Sequence, residues 1–97
     1  MVTVELLADA KDDLMEAARF YDQQEEGLGA YFIDSLSTDI DSLQLYAGIH
    51  EQHGSYHRLL AKRFPYSIYY RTSKDKVLVC AILYNRQDPY RSNNRLT

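Results

Sequence analysis

A chain of 97 residues with 45% hydrophobic content can bury one core and cannot supply two independently folding units. Its single cysteine excludes an intramolecular disulfide framework, and no apolar run is long enough to span a bilayer. The formal net charge of −3 hides a division: residues 1–54 hold two basic and twelve acidic groups, residues 55–97 nine basic and two acidic, so the halves sit near −10 and +7. That asymmetry points to an electropositive sheet backed by electronegative helices, which bears on partners more than on fold. The plainer reading is a solvated strand face that happens to carry Lys and Arg.

Val2–Leu6 is rich in β-branched residues and reads as a short first strand. Asp9 is placed to cap a helix, in which Leu14, Ala17, Ala18 and Tyr21 form an apolar stripe at i, i+3, i+4 and i+7. Gly27-Leu28-Gly29 then ends one helix and opens the next, whose stripe is Phe32, Leu36, Ile40 and Leu43. The two helices are expected to form an antiparallel hairpin, and Gly48–Gly54, with His50 and His53, to close this half as a loop.

The period then changes to two. Tyr56–Arg63 reads as a half-exposed strand with a basic face, ended by Phe64-Pro65 because proline lacks the N–H that a ladder needs. Tyr66, Ile68 and Tyr70 alternate with Ser67, Tyr69 and Arg71; Thr72–Asp75 makes a turn; Val77–Leu83 is apolar on both faces, as a covered central strand requires. The expected class is α+β in the order β-α-α-β-β-β, a helical hairpin packed on a mostly antiparallel sheet, with the helix stripes against Ile68, Tyr70, Leu78 and Ile82. Residues 1–97 are read as one domain with a polar tail from about residue 90, after Asp88-Pro89.

The succession Ala10-x-x-Asp-Leu-x-x-Ala-Ala-x-x-Tyr21, Gly27-Leu28-Gly29-x-x-Phe32, Phe64-Pro65-Tyr66-x-Ile68-x-Tyr70 and Tyr84-Asn85-Arg86-x-Asp88-Pro89 resembles the RelE/ParE toxin superfamily, and within it the ParE-like plasmid-stabilisation branch. The resemblance covers nearly the whole chain in order. It implies the toxin of a type II toxin–antitoxin operon, cytoplasmic, without cofactor or membrane association, and neutralised by a cognate antitoxin that wraps over helices and sheet.

Two chemistries divide that superfamily. RelE-type members cleave mRNA on the ribosome, where basic side chains on the sheet neutralise the scissile phosphate without a metal. There, an Arg follows the aromatic that opens the third strand; here Ser67 follows Tyr66. Arg86 and Gln87 align equally well with a further Arg at the end of the last strand, and Arg58 with Lys62 or Arg63 stands for the second-strand pair. The catalytic candidates for a nuclease are thus Arg58, Lys62 and Arg86. ParE-type members lack this set and inhibit DNA gyrase, so the departure at Ser67 and the overall acidity favour a target-binding toxin over an endoribonuclease. A non-toxic adaptor that kept the fold is the third reading. The expected partner surface comprises Arg58, Lys62, Arg63, Arg71, Tyr84 and Arg86.

His50, His53 and His57 lie three and four apart, yet span a glycine-containing loop and a strand, so they are read as solvated histidines and no metal site is assigned. Tyr21, Tyr66 and Tyr70 fall at core-facing positions; for Tyr84 and Tyr90, near Arg86 and Arg91, a functional edge stays open as the lesser alternative to packing. Cys80, inside the apolar run, is read as a small buried hydrophobe in a reducing compartment. The opening MVTVELLADAKDD carries no basic segment followed by an apolar stretch, which reads as a chain without a secretory signal.

Overall fold

The computed structural model describes residues 2–86. The elements are β1 (Thr3–Leu6), α1 (Ala8–Gln24), α2 (Leu28–Asp41), α3 (Leu43–Tyr46), β2 (Glu51–His53), β3 (Tyr56–Leu60), β4 (Tyr66–Ser73) and β5 (Lys76–Tyr84). The strands make one sheet in the order β1-β5-β4-β3-β2. β1 runs parallel to β5 and the other neighbours are antiparallel, so the α+β class with a helical hairpin holds. No helix among the described residues is long and apolar enough to cross a membrane.

Local chemistry explains the helix ends. α1 starts two residues earlier than a cap at Asp9 would require: extended Leu7 is the N-cap, its carbonyl accepts the Lys11 N–H, and Asp9 sits in the first turn, where its charge favours the helix dipole. At the hairpin corner Gly27 has φ +90°, a left-handed conformation that glycine adopts without strain. Asp22 Oδ1 accepts the N–H groups of Gly27 at 3.0 Å and Gly29 at 3.2 Å, which satisfies donors at the start of α2. At Gly29 the reason for glycine is space, since a Cβ there would stand 2.6 Å from the Ala18 carbonyl oxygen.

The 48–54 stretch is more ordered than a closing loop. α3 precedes it, and residues 51–53 pair with β3 as an edge strand, Glu51 opposite Arg58 and His53 opposite Tyr56. Three residues are too few to show a period, so only pairing with β3 defines this strand. β3 in turn ends at Leu60, short of Arg63, because the Lys62 N–H is taken by Asp39 Oδ2 at 3.1 Å instead of by a neighbouring strand.

The two sheet faces are unequal. Toward the helices, Leu59, Ile68, Tyr70, Val77, Val79 and Ile82 pack with Ala10, Phe32, Leu36, Ile40 and Leu43. The other face carries the smaller cluster of Tyr69, Ala81 and Leu83, with Tyr56 against it. Tyr69 pairs with Ala81 but Tyr70 with Val79, so Cys80 is an extra residue, a β-bulge that changes the side-chain phase of β5. Strict alternation back from Ile82 would bring Leu78 to the helices; the bulge brings Val77 and Val79 there, and Leu78 opposite Arg71 belongs to the other face. Beyond the bulge β1 no longer pairs with β5, and Asp13 Oδ2 accepts the Ile82 N–H at 2.9 Å in its place.

The hairpin and the sheet are joined at one end by rings. Tyr21 stacks on Phe32 with centroids 5.1 Å apart, and both meet Phe64 and Tyr66 edge-on. Substituting Gly29→Ala should lower stability in urea unfolding by about 1–3 kcal/mol, the usual cost of forcing extra volume into a packed contact. A loss below about 0.5 kcal/mol would mean that α1 and α2 separate freely at that point.

Candidate functional site

The helix-free face of the sheet assembles side chains from three strands. In β3 the alternation sends Tyr56 and Arg58 to this face, and in β4 it sends Ser67, Tyr69 and Arg71. Arg58 Nε–H donates to Ser67 Oγ at 2.9 Å, and the Ser67 hydroxyl donates to Asn85 Oδ1 at 2.5 Å. Ser67 is 2% exposed, so this relay ties β3, β4 and the end of β5 together around a buried hydroxyl. Arg58 Nη1 also stands 3.8 Å from Glu51 Oε1, which accepts from His53 Nε2 at 2.8 Å. That outer pair is largely exposed and contributes no more than about 1 kcal/mol.

Arg71 lies over the Tyr56 ring, 5.8 Å from its centroid. Below it, Arg71 and Tyr56 share a partly open cavity of about 280 Å³ with Leu7, Ala8, Asp9 and Cys80. Cys80 is therefore half-buried at the bulge rather than fully enclosed, and its thiol donates to the Leu78 carbonyl at 3.4 Å. The result is a face on which the cations Arg58 and Arg71 flank the aromatic rings of Tyr56 and Tyr69. Such a surface suits an acidic or aromatic segment of a protein partner.

The other expected site residues are dispersed. Lys62 and Arg63 follow β3 as exposed residues, and Arg63 Nη1 donates to the Tyr31 hydroxyl of α2 at 3.1 Å, on the helix side. Tyr84 points to the helix side as well, its ring 5.6 Å from that of Tyr66. Burial, with Tyr84 alongside, pushes the Tyr21 phenol up; burial, then Tyr21, Tyr84 and Glu16, does the same for Tyr66. Arg86 is exposed, two residues after β5. Gln87, Asp88, Pro89, Tyr90 and Arg91 lie outside the described residues. The set Arg58, Lys62, Arg63, Arg71, Tyr84 and Arg86 thus does not form one basic strand face; Arg58 and Arg71 share a face, while Arg63 and Tyr84 turn to the helices.

Sequence reasoning treated Ser67 only as a missing cation and did not assign Asn85 a role. A serine between Tyr66 and Ile68 on an interior strand was the available signal, because a buried hydroxyl requires partners. The histidines also differ from solvated loop residues: His50 Nδ1 lies 2.6 Å from the Tyr70 hydroxyl, and the His57 ring stacks on Tyr70 at 5.2 Å. Among the described residues no group of three or more His, Cys, Asp or Glu is placed to hold a metal ion.

No protein-family model matches the chain, and no curated protein matches it in sequence. A solved structure does match: a chain of the "Chromosomal ParDE TA system from P. aeruginosa" superposes with a TM-score of 0.77. The two are 17% identical over 84% of this chain and 94% of that one. The chain has that fold.

The relay makes a prediction about stability. Ser67→Ala and Asn85→Ala should be coupled in a double-mutant cycle by more than about 0.5 kcal/mol, since the two groups form one hydrogen-bonded network. Additive costs in chemical denaturation would show that Ser67 and Asn85 act independently.

Proposed function

We propose that the chain is the toxin-like component of a type II toxin–antitoxin pair and that it acts in the cytoplasm by occupying a macromolecular target, in the manner of a gyrase inhibitor. A cognate antitoxin neutralises it. The fold shared with a ParDE chain supports the module, and the engagement of Arg58 carries the choice of mechanism. A metal-free nuclease needs several cations free to meet the scissile phosphate. Here the Nε donor of Arg58 is used by Ser67, Glu51 stands beside its Nη1, and Arg63 is turned to Tyr31. Arg86 and Lys62, exposed and with side chains in no relay among the described residues, are the residues on which a ribosome-dependent endoribonuclease would have to rest.

Mapping transcript 5′ ends during induced expression tests the mechanism. Growth arrest without codon-phased mRNA cuts is the expected result, and co-expression of the neighbouring antitoxin should relieve the arrest. Cuts that disappear in Arg86→Ala would establish the endoribonuclease, and absence of any arrest would leave a non-toxic adaptor. The antitoxin is expected to bring an acidic segment to Arg58 and Arg71. Its association rate should fall several-fold between about 50 and 500 mM salt, because steering between exposed charges is screened. A rate indifferent to salt would remove this face as the docking surface.

A further inference from the structure

The buried Tyr70 and the half-buried His50 and His57 make a cluster that the toxin-like reading does not use. Tyr70 comes from the middle of the sheet, is 0% exposed, and aims its hydroxyl at the segment joining α3 to β2. The Gly48 N–H donates to that hydroxyl oxygen at 2.9 Å, and His50 Nδ1 lies 2.6 Å from it. With the Gly48 N–H on its oxygen, the hydroxyl has its own proton to give, and His50 Nδ1 is placed to accept it. His50 is then neutral with its hydrogen on Nε2. His57 Nδ1 faces the His50 carbonyl at 3.1 Å; a carbonyl only accepts, so His57 carries its hydrogen on Nδ1.

We propose that this cluster is a proton-operated latch: protonation of His50 detaches segment 47–53 from Tyr70 and thereby opens the outer edge of β3. A proton on His50 Nδ1 would point a second donor at the Tyr70 oxygen and leave the hydroxyl hydrogen without an acceptor among the described residues. Among the described residues no carboxylate faces the His50 ring to compensate the new charge. β4 presents Tyr70 and β3 presents His57 to the His50 ring; the adjacent Glu51 is turned to His53 and Arg58 on the other face of the sheet. Burial first, and then His57, accordingly holds the His50 imidazole below its ordinary value.

The direction of the pH effect follows. A base with a depressed value in the folded state binds fewer protons folded than unfolded, so the latch is fully closed above the ordinary imidazole range and weakens as pH falls through about 6.5. What it releases is weakly held otherwise. β2 has three residues, pairs with β3 alone and is the edge of the sheet. Its departure frees the N–H and C=O groups of Tyr56–Arg58 for another strand and removes Glu51 from Arg58.

Amide hydrogen exchange on the full chain, corrected for intrinsic rates, tests this between about pH 7.5 and 5. Protection of the amides in 48–53 should fall by about fivefold or more while the α1 and β5 interiors keep theirs. His50→Asn keeps an acceptor near the Nδ1 position without a titrating ring, and its 48–53 protection should be independent of pH. Unchanged wild-type protection, or a fall that persists in His50→Asn, overturns the proposal. If that variant does not fold, the ¹⁵N spectrum of the wild-type imidazole decides: Nε2–H with titration below the ordinary range supports the latch, and Nδ1–H or titration above that range overturns it.

Discussion

The bulge at Cys80 sets the phase on which both faces of this sheet depend. β4 alternates without interruption, so its partner β5 must switch phase to present Val77 and Val79 to the helices at one end and Ile82 at the other. Were the alternation unbroken through Cys80, Ile82 would turn away from α1 and α2, and Ala81 and Leu83 would turn toward them. The same register places neighbours in sequence on opposite sides. Tyr69 packs with Ala81 and Leu83, while Tyr70 joins the main core and reaches His50.

A second constraint is the supply of acceptors for backbone N–H groups at places where regular structure stops. Asp22 meets Gly27 and Gly29 at the helix corner, Asp39 meets Lys62 where β3 ends, and Asp13 meets Ile82 where β1 no longer covers β5. All three belong to the acidic half of the chain. A count of charges treats them as a solvated negative surface, yet they act as local caps whose removal would leave donors unpaired at a cost of about 1–3 kcal/mol each when buried. The basic half is likewise partly engaged, Arg58 by Ser67 and Arg63 by Tyr31. The field around the protein is therefore weaker than the division of charge suggests, and it is concentrated where cations stand without such partners.

The legible parts of the sequence were those with a period. Stripes such as Leu14, Ala17, Ala18 and Tyr21 are set by helix geometry alone, and the alternation of Tyr66, Ile68 and Tyr70 by strand geometry alone, so both helices and the main strands could be read. Leu78 was misplaced because a bulge leaves the composition of an apolar strand unchanged while altering its phase. β2 was missed because its pairing is long-range and its three residues carry no pattern. Site residues were harder still. Arg58 was identified, but its engagement depends on Ser67 and Asn85, which are 9 and 18 positions apart from their partners in the relay. Spacings of that kind are fixed by strand register, not by any local rule.

The two clusters described here meet through β2. On one side of that edge strand, residue 50 binds Tyr70 beneath the sheet; on the other, Glu51 stands against Arg58 above it. Consecutive residues entering a strand point to opposite faces, so a segment three residues long is enough to link the half-buried His50 on one face with the half-buried Arg58 on the other. The link has no rigid element between its ends, and Glu51 is exposed enough that its attraction for Arg58 cannot hold the strand by itself. The position of β2 must then follow the stronger anchor. That anchor is the buried hydroxyl of Tyr70, which makes the state of His50 the factor that governs whether Arg58 keeps its acidic neighbour.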